Sequence, residues 1–479
     1  MEHAKQPKIA SALIWKLLER FGVQGTQFVL QIVLARILSP DHYGALSLMV
    51  IFTTLANVFI QTGFNTALIR AKDVTNEDYS SVFWVSLGIA GVLYGVIFCT
   101  APWIAKLYKM PDIVAPLRVL ALMLLPGAFN SVQLAKVSRE MNFRKVFISN
   151  VAAILVAGGV GIALAALGAG LWALVAQTML NVFVACVVMF FTVKWCPRLV
   201  CSLQRVKVLF AFGWKILVSG LINTLYQDIR SLVIGVKYDA GTLGYYNKGK
   251  SFPQFIINAI SGTVQSVMLP AMAKEQDDSA KVKEITRNSI TISAFILFPL
   301  MAGLAGVATP LVQLLLTDKW LPCVPYLQIY CFTLAFNPVH MCNLQAINAM
   351  GRSDIFLRLE IIKKSIGLIS LAIAVFCFQS PIAIALTGAF TVLISCFINA
   401  YPNKSLIRYS YFEQMKDLIP SFVLAVVMLA AVLAVQLLPL GNVLTLVVQI
   451  AVGLVLYPLA AYLFRVRPMM LLLQFLKKK

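Results

Sequence analysis

Charge is scarce in this chain. Asp, Glu, Lys and Arg make up 12% of its 479 residues, about half the share of an ordinary soluble domain, and no long polar stretch remains for an attached domain. That excludes most soluble enzyme classes. His3, His42 and His340 are too few and too scattered for a histidine-based metal centre. The nine cysteines lie mostly inside apolar runs and form no CxxC pair, which argues against a disulfide framework or a zinc site. No phosphate-cradling glycine loop of the Walker type occurs, so ATP is not hydrolysed on this chain. Acidic residues are outnumbered, 19 against 40 Lys and Arg, for a net charge of +21. In a soluble protein such an excess would suggest nucleic acid. Here most of the basic residues sit between apolar segments and read as topology signals, so nucleic acid is not an expected partner.

Apolar residues are abundant, at 60%. At about 20 residues per span, fourteen apolar runs can be placed, near 11–37, 43–69, 79–101, 113–135, 146–167, 171–193, 209–236, 243–272, 288–316, 323–348, 359–379, 381–403, 417–438 and 442–464. With the N-terminus in the cytoplasm, 26 of the 40 Lys and Arg fall in inside connections, four in outside ones and ten within spans. Such a bias fixes both ends in the cytoplasm and supports an even helix number. Lys16, Glu19 and Arg20 interrupt the first apolar region and no small-residue cleavage site follows, so the first helix is expected to be retained. Outside connections such as Ser39 to His42 and Gly168 to Gly170 are only a few residues long. A membrane glycosyltransferase or polymerase would carry a larger external loop with acidic residues.

The chain repeats itself. Trp15-Lys16-Leu17-Leu18 returns as Trp214-Lys215-Ile216-Leu217, and Ala128-Phe129-Asn130-Ser131-Val132 as Ala335-Phe336-Asn337-Pro338-Val339. Both offsets displace the chain by six helices, an even number, so the copies run in the same sense through the membrane. The expected architecture is all-α and membrane-integral: a six-helix bundle over 1–200, a second over 201–408, and helices 13 and 14 with a basic tail over 409–479.

Polar stripes fall where lipid would forbid them. In helix 1, Lys16, Arg20, Gln24, Gln27 and Gln31 lie within about 80° of the circumference, with Glu19 beside them. Helix 7 repeats the spacing with Lys215, Ser219, Asn223, Tyr226 and Arg230, while Asp228 points to another face. Helix 2 carries Thr54, Asn57, Gln61 and Asn65 on one side, and helix 8 carries Asn247, Lys250, Gln254, Asn258, Ser261 and Gln265. Uncharged members are equally accounted for by hydrogen bonds between packed helices. A lysine or arginine at mid-membrane costs about 2.5–3.5 kcal/mol even on the mildest scale. Arg118, Lys363 and Lys364, near helix ends, are relieved by snorkelling. Four such walls, from helices 1, 2, 7 and 8, can enclose one water-filled cavity between the two bundles. Its candidate lining is cationic, from Lys16, Arg20, Lys215, Arg230 and Lys250, with Lys248 on a less certain face, and it suits a diphosphate or an acidic sugar. An exporter of organic cations would show the reverse sign.

The stretches Leu30-Gln31-Ile32-Val33-Leu34-Ala35-Arg36-Ile37-Leu38-Ser39-Pro40, Tyr43-Gly44-Ala45-Leu46, Gln61-Thr62-Gly63-Phe64-Asn65-Thr66-Ala67-Leu68-Ile69 and Leu243-Gly244-Tyr245-Tyr246-Asn247 resemble bacterial polysaccharide exporters of the flippase type. The branch that resembles it most is the Wzx-like one that includes the colanic acid exporter. Lipid II flippases and multidrug and toxin extruders belong to the same superfamily. The resemblance implies fourteen helices in two lobes, a central basic cavity, and translocation of an undecaprenyl-diphosphate-linked oligosaccharide across the bacterial cytoplasmic membrane by alternating access. Partners would be membrane lipid and polysaccharide-assembly proteins. No cofactor is implied, and H+ or Na+ is the candidate coupling ion. Where relatives often carry Asp before the glycine that ends helix 2, this chain has Thr62, so a coupling role there is in doubt. Lys16, Arg20, Lys215, Arg230 and Lys250 are then the expected anion contacts. Gln24, Gln27, Asn57, Gln61, Asn223, Gln254 and Asn258 are the expected sugar or water contacts. Glu19 is the candidate ion-coupling group, with pairing to Lys16 or Arg20 as the equal alternative. Rival functions are a drug or small-molecule exporter on the same fold, and a membrane polymerase or ligase acting on the same lipid carrier.

Overall fold

A computed structural model describes residues 22–71, 73–439 and 441–477, and in the described part the chain is helical throughout. It divides into two compact units, Met1–Gly244 and Tyr245–Lys479. Nine helical segments among the described residues are long and apolar enough to cross a membrane, and a tenth is a pair, Gln204–Ala211 and Gly213–Lys237, that meets at 53°. The chain is therefore an all-α, multi-pass membrane protein.

The first unit contains α1 (Gln24–Ile37), α2 (Pro40–Arg70), α3 (Asn76–Leu107), α4 (Val114–Ala121), α5 (Leu124–Glu140), α6 (Phe143–Ala166), α7 (Leu171–Val193) and α8 (Leu203–Lys237). Helix starts are marked by local chemistry. Ser39 and His42 cap the start of α2 reciprocally, with Pro40 at the first helical position, and Thr75 and Asp78 do the same for α3. Leu30 of α1 lies against Gly158 of α6. Tyr79 meets Trp195 and Phe83 meets Phe129 edge to face, and Phe129 lies tilted against Trp195, in a core that includes Leu68 and Val132.

The contact that places α8 is made through glycines. α2 and α8 run antiparallel, and at one end a Cβ on Gly213 would stand 2.6 Å from the carbonyl oxygen of Gly63. Midway, Gly220 meets Val58 and Thr62; at the far end a Cβ on Gly44 would stand 1.7 Å from the carbonyl oxygen of Ala240, and one on Gly244 2.1 Å from that of Pro40. Two backbones approach this closely only where side chains are missing, the small-residue packing typical of membrane helices.

The second unit takes in most of α9 (Ala240–Lys274), then α10 (Ser279–Gly306), α11 (Ala308–Leu316), α12 (Val324–Ala335), α13 (Asn337–Ala349), α14 (Ser353–Cys377), α15 (Pro381–Ala400), the short α16 (Asn403–Leu406), α17 (Tyr411–Ala434), α18 (Asn442–Leu463) and α19 (Arg467–Lys477). α10 packs along α17, and α14 along α15. α9 and α14, which carry Lys248, Lys250, Glu360, Lys363 and Lys364, stand outside the set of apolar spans.

Replacing Gly44 by Ala is expected to force α2 from the α8–α9 turn, at a cost of about 1–3 kcal/mol or more for overpacking. Gly88→Ala, where a Cβ meets nothing within 4 Å, is expected to be neutral. Thermal unfolding of the two variants in detergent checks this; equal midpoints would remove the close-contact account.

Candidate functional site

α8 presents three distinct faces. At 100° per residue, Gly213, Leu217 and Gly220 share the face that meets α2, as Gly63 also lies against Leu217. Lys215, Ser219 and Asn223 are exposed along a second face, continued by half-buried Tyr226 and Arg230, whose guanidinium lies 6.0 Å from the Tyr226 ring centroid. Trp214, Val218, Ile222 and Leu225 are exposed along a third, its centre about 100° from that of the polar row. One helix thus exposes a cationic, amide-bearing row and an apolar row side by side.

Other candidates in the first unit are more enclosed. Gln24, Gln27 and Gln31 on α1 are half-buried, as are Asn57, Gln61 and Asn65 on α2. Asn57 Oδ1 lies 3.1 Å from where a Cβ on Gly127 of α5 would stand, so this amide faces a neighbouring helix. The oxygens of Gln27, Asn57 and Asn65, and both amide atoms of Gln133 on α5, are buried with no hydrogen-bond partner among the described residues. Buried amide atoms left unmet cost about 1–3 kcal/mol each, so this interior has unused hydrogen-bonding capacity. Thr62 touches Gly220, which makes it a helix-packing residue. Lys16, Glu19 and Arg20 lie outside the described residues, as do the side chains of Ser261 and Gln265.

In the second unit, Lys250 and Gln254 are half-buried and Asn258 is exposed, on one face of α9, and Gln254 Nε2 donates to Asn258 Oδ1 at 2.9 Å. Lys248 lies elsewhere. It is buried, with Nζ 5.6 Å from the Trp320 ring centroid, so aromatic packing accounts for it and it does not join the accessible row. A cavity of about 250 Å³ between α10, α12 and α17 is lined by Phe298, Met301, Phe332, Phe422 and Leu429, with Gln328 as its polar member. It offers an anion no charge.

Several cations do structural work that sequence reading did not locate. Arg118 donates from Nε to the Phe98 carbonyl at 3.1 Å and sits 4.1 Å over the Phe98 ring. Arg139 reaches the carbonyls of Leu68 and Ala71 at the end of α2. Arg205 on α8 pairs with Asp78 at 3.0 Å and donates to Thr75, joining the starts of α3 and α8. In the second unit Arg287 grips Asp417 with two bonds of 2.7 and 2.6 Å, Lys283 pairs with Glu413, and the Tyr409 hydroxyl donates to Asp417 at 2.8 Å. Burial, and then the neighbouring carboxylate, hold the Tyr409 hydroxyl pKa above its ordinary value. These partners are 130 residues apart for the α10–α17 pairs. A capping pattern such as Thr75-x-x-Asp78 was readable in the sequence, but which distant cation would join it was not.

The family model described as "Polysaccharide biosynthesis protein" matches residues 33–325, more than half of the chain. The chain belongs to this polysaccharide biosynthesis protein family. The succinoglycan biosynthesis transport protein ExoT of Rhizobium meliloti (strain 1021) is 27% identical over 313 residues, 65% of this chain and 63% of that protein. The lipopolysaccharide biosynthesis protein WzxC of Escherichia coli (strain K12) is 24% identical over 362 residues, 74% of this chain and 73% of that one. The match thus spans less than two thirds of the length of the succinoglycan relative. Among solved structures, the lipid II flippase MurJ in its inward closed conformation superposes with a TM-score of 0.74 at 14% identity, covering 95% of this chain and 98% of that one. At that identity the likeness is one of fold. This member of the family is a multi-pass protein of the bacterial inner membrane.

Replacing Arg287 by Ala leaves Asp417 without its cation, while Glu413 keeps Lys283. Because the arginine is 31% exposed and Asp417 10%, the loss is expected between the surface and buried limits, about 1–3 kcal/mol. Chemical unfolding in detergent reads it; a change within about 0.5 kcal/mol would mean solvent already screens the pair.

Proposed function

We propose that this protein is a flippase, a secondary transporter that moves an undecaprenyl-diphosphate-linked oligosaccharide from the cytoplasmic to the outer leaflet by alternating access. The observation that carries this reading is the pair of adjacent exposed faces on α8. A lipid-linked sugar is itself two-natured, with a charged, hydroxyl-rich head on a long apolar tail. Lys215, Asn223 and Arg230 offer the head cations and amides, and Trp214, Val218, Ile222 and Leu225 offer the tail a lipid-like surface on the same helix. Family membership and the transport protein ExoT among the relatives support the same direction. WzxC among them supports the Wzx-like branch and surface polysaccharide as the destination.

In this reading Lys215, Arg230 and Lys250, together with Lys16 and Arg20, neutralise the diphosphate by charge-assisted hydrogen bonds. Gln24, Gln27, Asn57, Gln61, Asn223, Gln254 and Asn258 exchange hydrogen bonds with sugar hydroxyls or water, and the unmet oxygens of Gln27 and Asn57 give them acceptor capacity. Glu19 is a candidate for ion coupling. Fourteen helices, as two six-helix repeats and a C-terminal pair, complete the proposed architecture, with both termini in the cytoplasm, a placement that the 26-to-4 distribution of basic residues supports. Glycan-assembly proteins of the inner membrane are the proposed partners.

The test is translocation of a fluorescently labelled lipid-linked oligosaccharide in reconstituted vesicles. Removing one charge-assisted contact, about 1.5–3 kcal/mol, predicts roughly a 10- to 100-fold fall in rate for Lys215→Gln and for Arg230→Gln, with normal folding. Ile222→Leu on the apolar face is expected to change little. Unchanged rates in both charge variants would end the anion-contact reading.

A further inference from the structure

One corner of the second unit carries cations that its own carboxylates leave unneutralised. α18 is a membrane span and ends at Leu463, so the residues that follow stand at the membrane surface whichever way the helix runs. The chain turns there through Arg465, whose φ of 48° lies in the left-handed region and whose side chain is exposed. Glycine takes that conformation without strain and arginine does not. Arg467, also exposed, opens α19 and donates from Nη2 to Asn288 Oδ1 of α10 at 3.2 Å, a neutral partner that uses one of its five N–H donors. Among the described residues neither arginine pairs with a carboxylate; Glu413 and Asp417, which face the neighbouring part of α10, are taken by Lys283 and Arg287. Just before the turn, Leu459, Tyr462, Leu463 and Phe464 are each more than half exposed. α19 has 11 residues, about 16 Å of helix, roughly half of the hydrocarbon thickness. Gln474 shares the exposed face of Arg467, while Met469, Met470, Leu471 and Leu473 are half-buried on a helix that packs against α10 and α18.

We infer that Arg465 and Arg467 bind the phosphate of an anionic glycerophospholipid, with α19 lying along the membrane surface beside it. Guanidinium groups offer forked donors to phosphate oxygens. The exposed Tyr462, Leu463 and Phe464 give the acyl chains an apolar surface next to the cations, a surface that a free phosphate would leave unused. The corner offers little to sugar hydroxyls, which favours a phospholipid over a lipid-linked sugar. Backbone geometry points the same way. Of the six non-glycine residues with positive φ among the described residues, four are basic: Lys109, Lys194, Arg408 and Arg465, each within two residues of a helix end. A helix end that meets the headgroups gains from a cation what the backbone loses in strain. A phosphate held by both arginines fixes the turn into α19 and, through Asn288, reaches α10. The inference stands apart from the flippase reading, because it concerns the lipid that surrounds the protein and not the cargo.

The test uses the full-length protein in phosphatidylcholine vesicles that contain a trace of photoactivatable phosphatidylglycerol or photoactivatable phosphatidylcholine. Crosslinks in the peptide over 459–477 are quantified by mass spectrometry, and the ratio of the two yields is the readout. Wild-type protein is expected to favour phosphatidylglycerol, less so as salt rises from about 0.1 M to about 1 M. Arg465→Gly, which suits the turn, and Arg467→Gln, which keeps a donor for Asn288, are each expected to lower the ratio about five-fold, the effect of one basic residue at an anionic surface. The double variant is expected to bring it close to one. Lys281→Gln removes a cation that Glu275 and Asp278 already neutralise, and is expected to leave the ratio unchanged. Thermal midpoints equal to wild type show that the variants fold. A wild-type ratio near one, an unchanged ratio in the double variant, or an equal fall in Lys281→Gln would overturn the site. Competition by inorganic phosphate would assign the corner to free anions, and displacement by an equal amount of lipid-linked oligosaccharide would assign it to the cargo; either overturns the phospholipid. No readout involves translocation, so failure here leaves the flippase reading untouched.

Discussion

Hydrocarbon solvates neither charge nor unmet amides, and the placement of nearly every polar side chain in this molecule follows from that constraint. A lysine or arginine stranded at mid-membrane costs about 2.5–3.5 kcal/mol on the mildest scale, so a cation on a membrane helix needs a partner, a route to the interface, or water. Arg118 takes the Phe98 carbonyl and ring, Lys248 an indole face, Arg287 a carboxylate with matched geometry, and Lys363 the neighbouring Glu360. Lys215 stands instead on an exposed face, at the head of a row of hydroxyl and amide groups. That contrast separates the cations that hold the fold from those offered to something else.

The glycine contacts of α8 make that offering possible. A helix packed through large side chains would surrender half of its circumference to its neighbours. Gly213 and Gly220 bring α8 against α2 along one narrow stripe, which leaves two further faces uncovered. The same contact makes Thr62 a packing residue. Its methyl lies 3.2 Å from where a Cβ on Gly220 would be, and a carboxylate pressed into that seam would be desolvated without a partner.

Much of this was legible in the sequence, and the limits have physical causes. Membrane helices declare themselves because each residue in a span must be paid for by hydrophobicity alone, so the apolar segments and the stripe from Lys215 to Arg230 could be placed by periodicity. Facing is another matter. Lys248 and Lys250 are two residues apart on one helix, and only packing against Trp320 decides which is buried. Asn57 has Gly127 of α5 beside its amide oxygen, a neighbour that no local pattern announces. His340 is set aside because histidines are few, and its neighbours Cys396 and Asn399, 56 and 59 residues away, have no local signal. Tertiary pairing is not encoded in local pattern, so ion pairs such as Arg205–Asp78 and Arg287–Asp417 had no signal beyond one charge within the first turns of each helix.

The second unit couples two kinds of bond along one seam. Asn343, Asn403 and Gln414 are fully buried and exchange amide hydrogen bonds, each strong because the surroundings are dry and each costly to lose for the same reason. Just beyond, Arg287, Asp417 and Tyr409 bind α10 to α17 by charge. A network of this sort resists gradual deformation: an amide either donates or accepts at a given partner, and reversing one end obliges its neighbour to reverse or to lose a bond. His340 and Asn399 sit one turn from Asn343 and Asn403 on the same two segments. Any change of partner along this seam is therefore a change between discrete arrangements and not a gradual one.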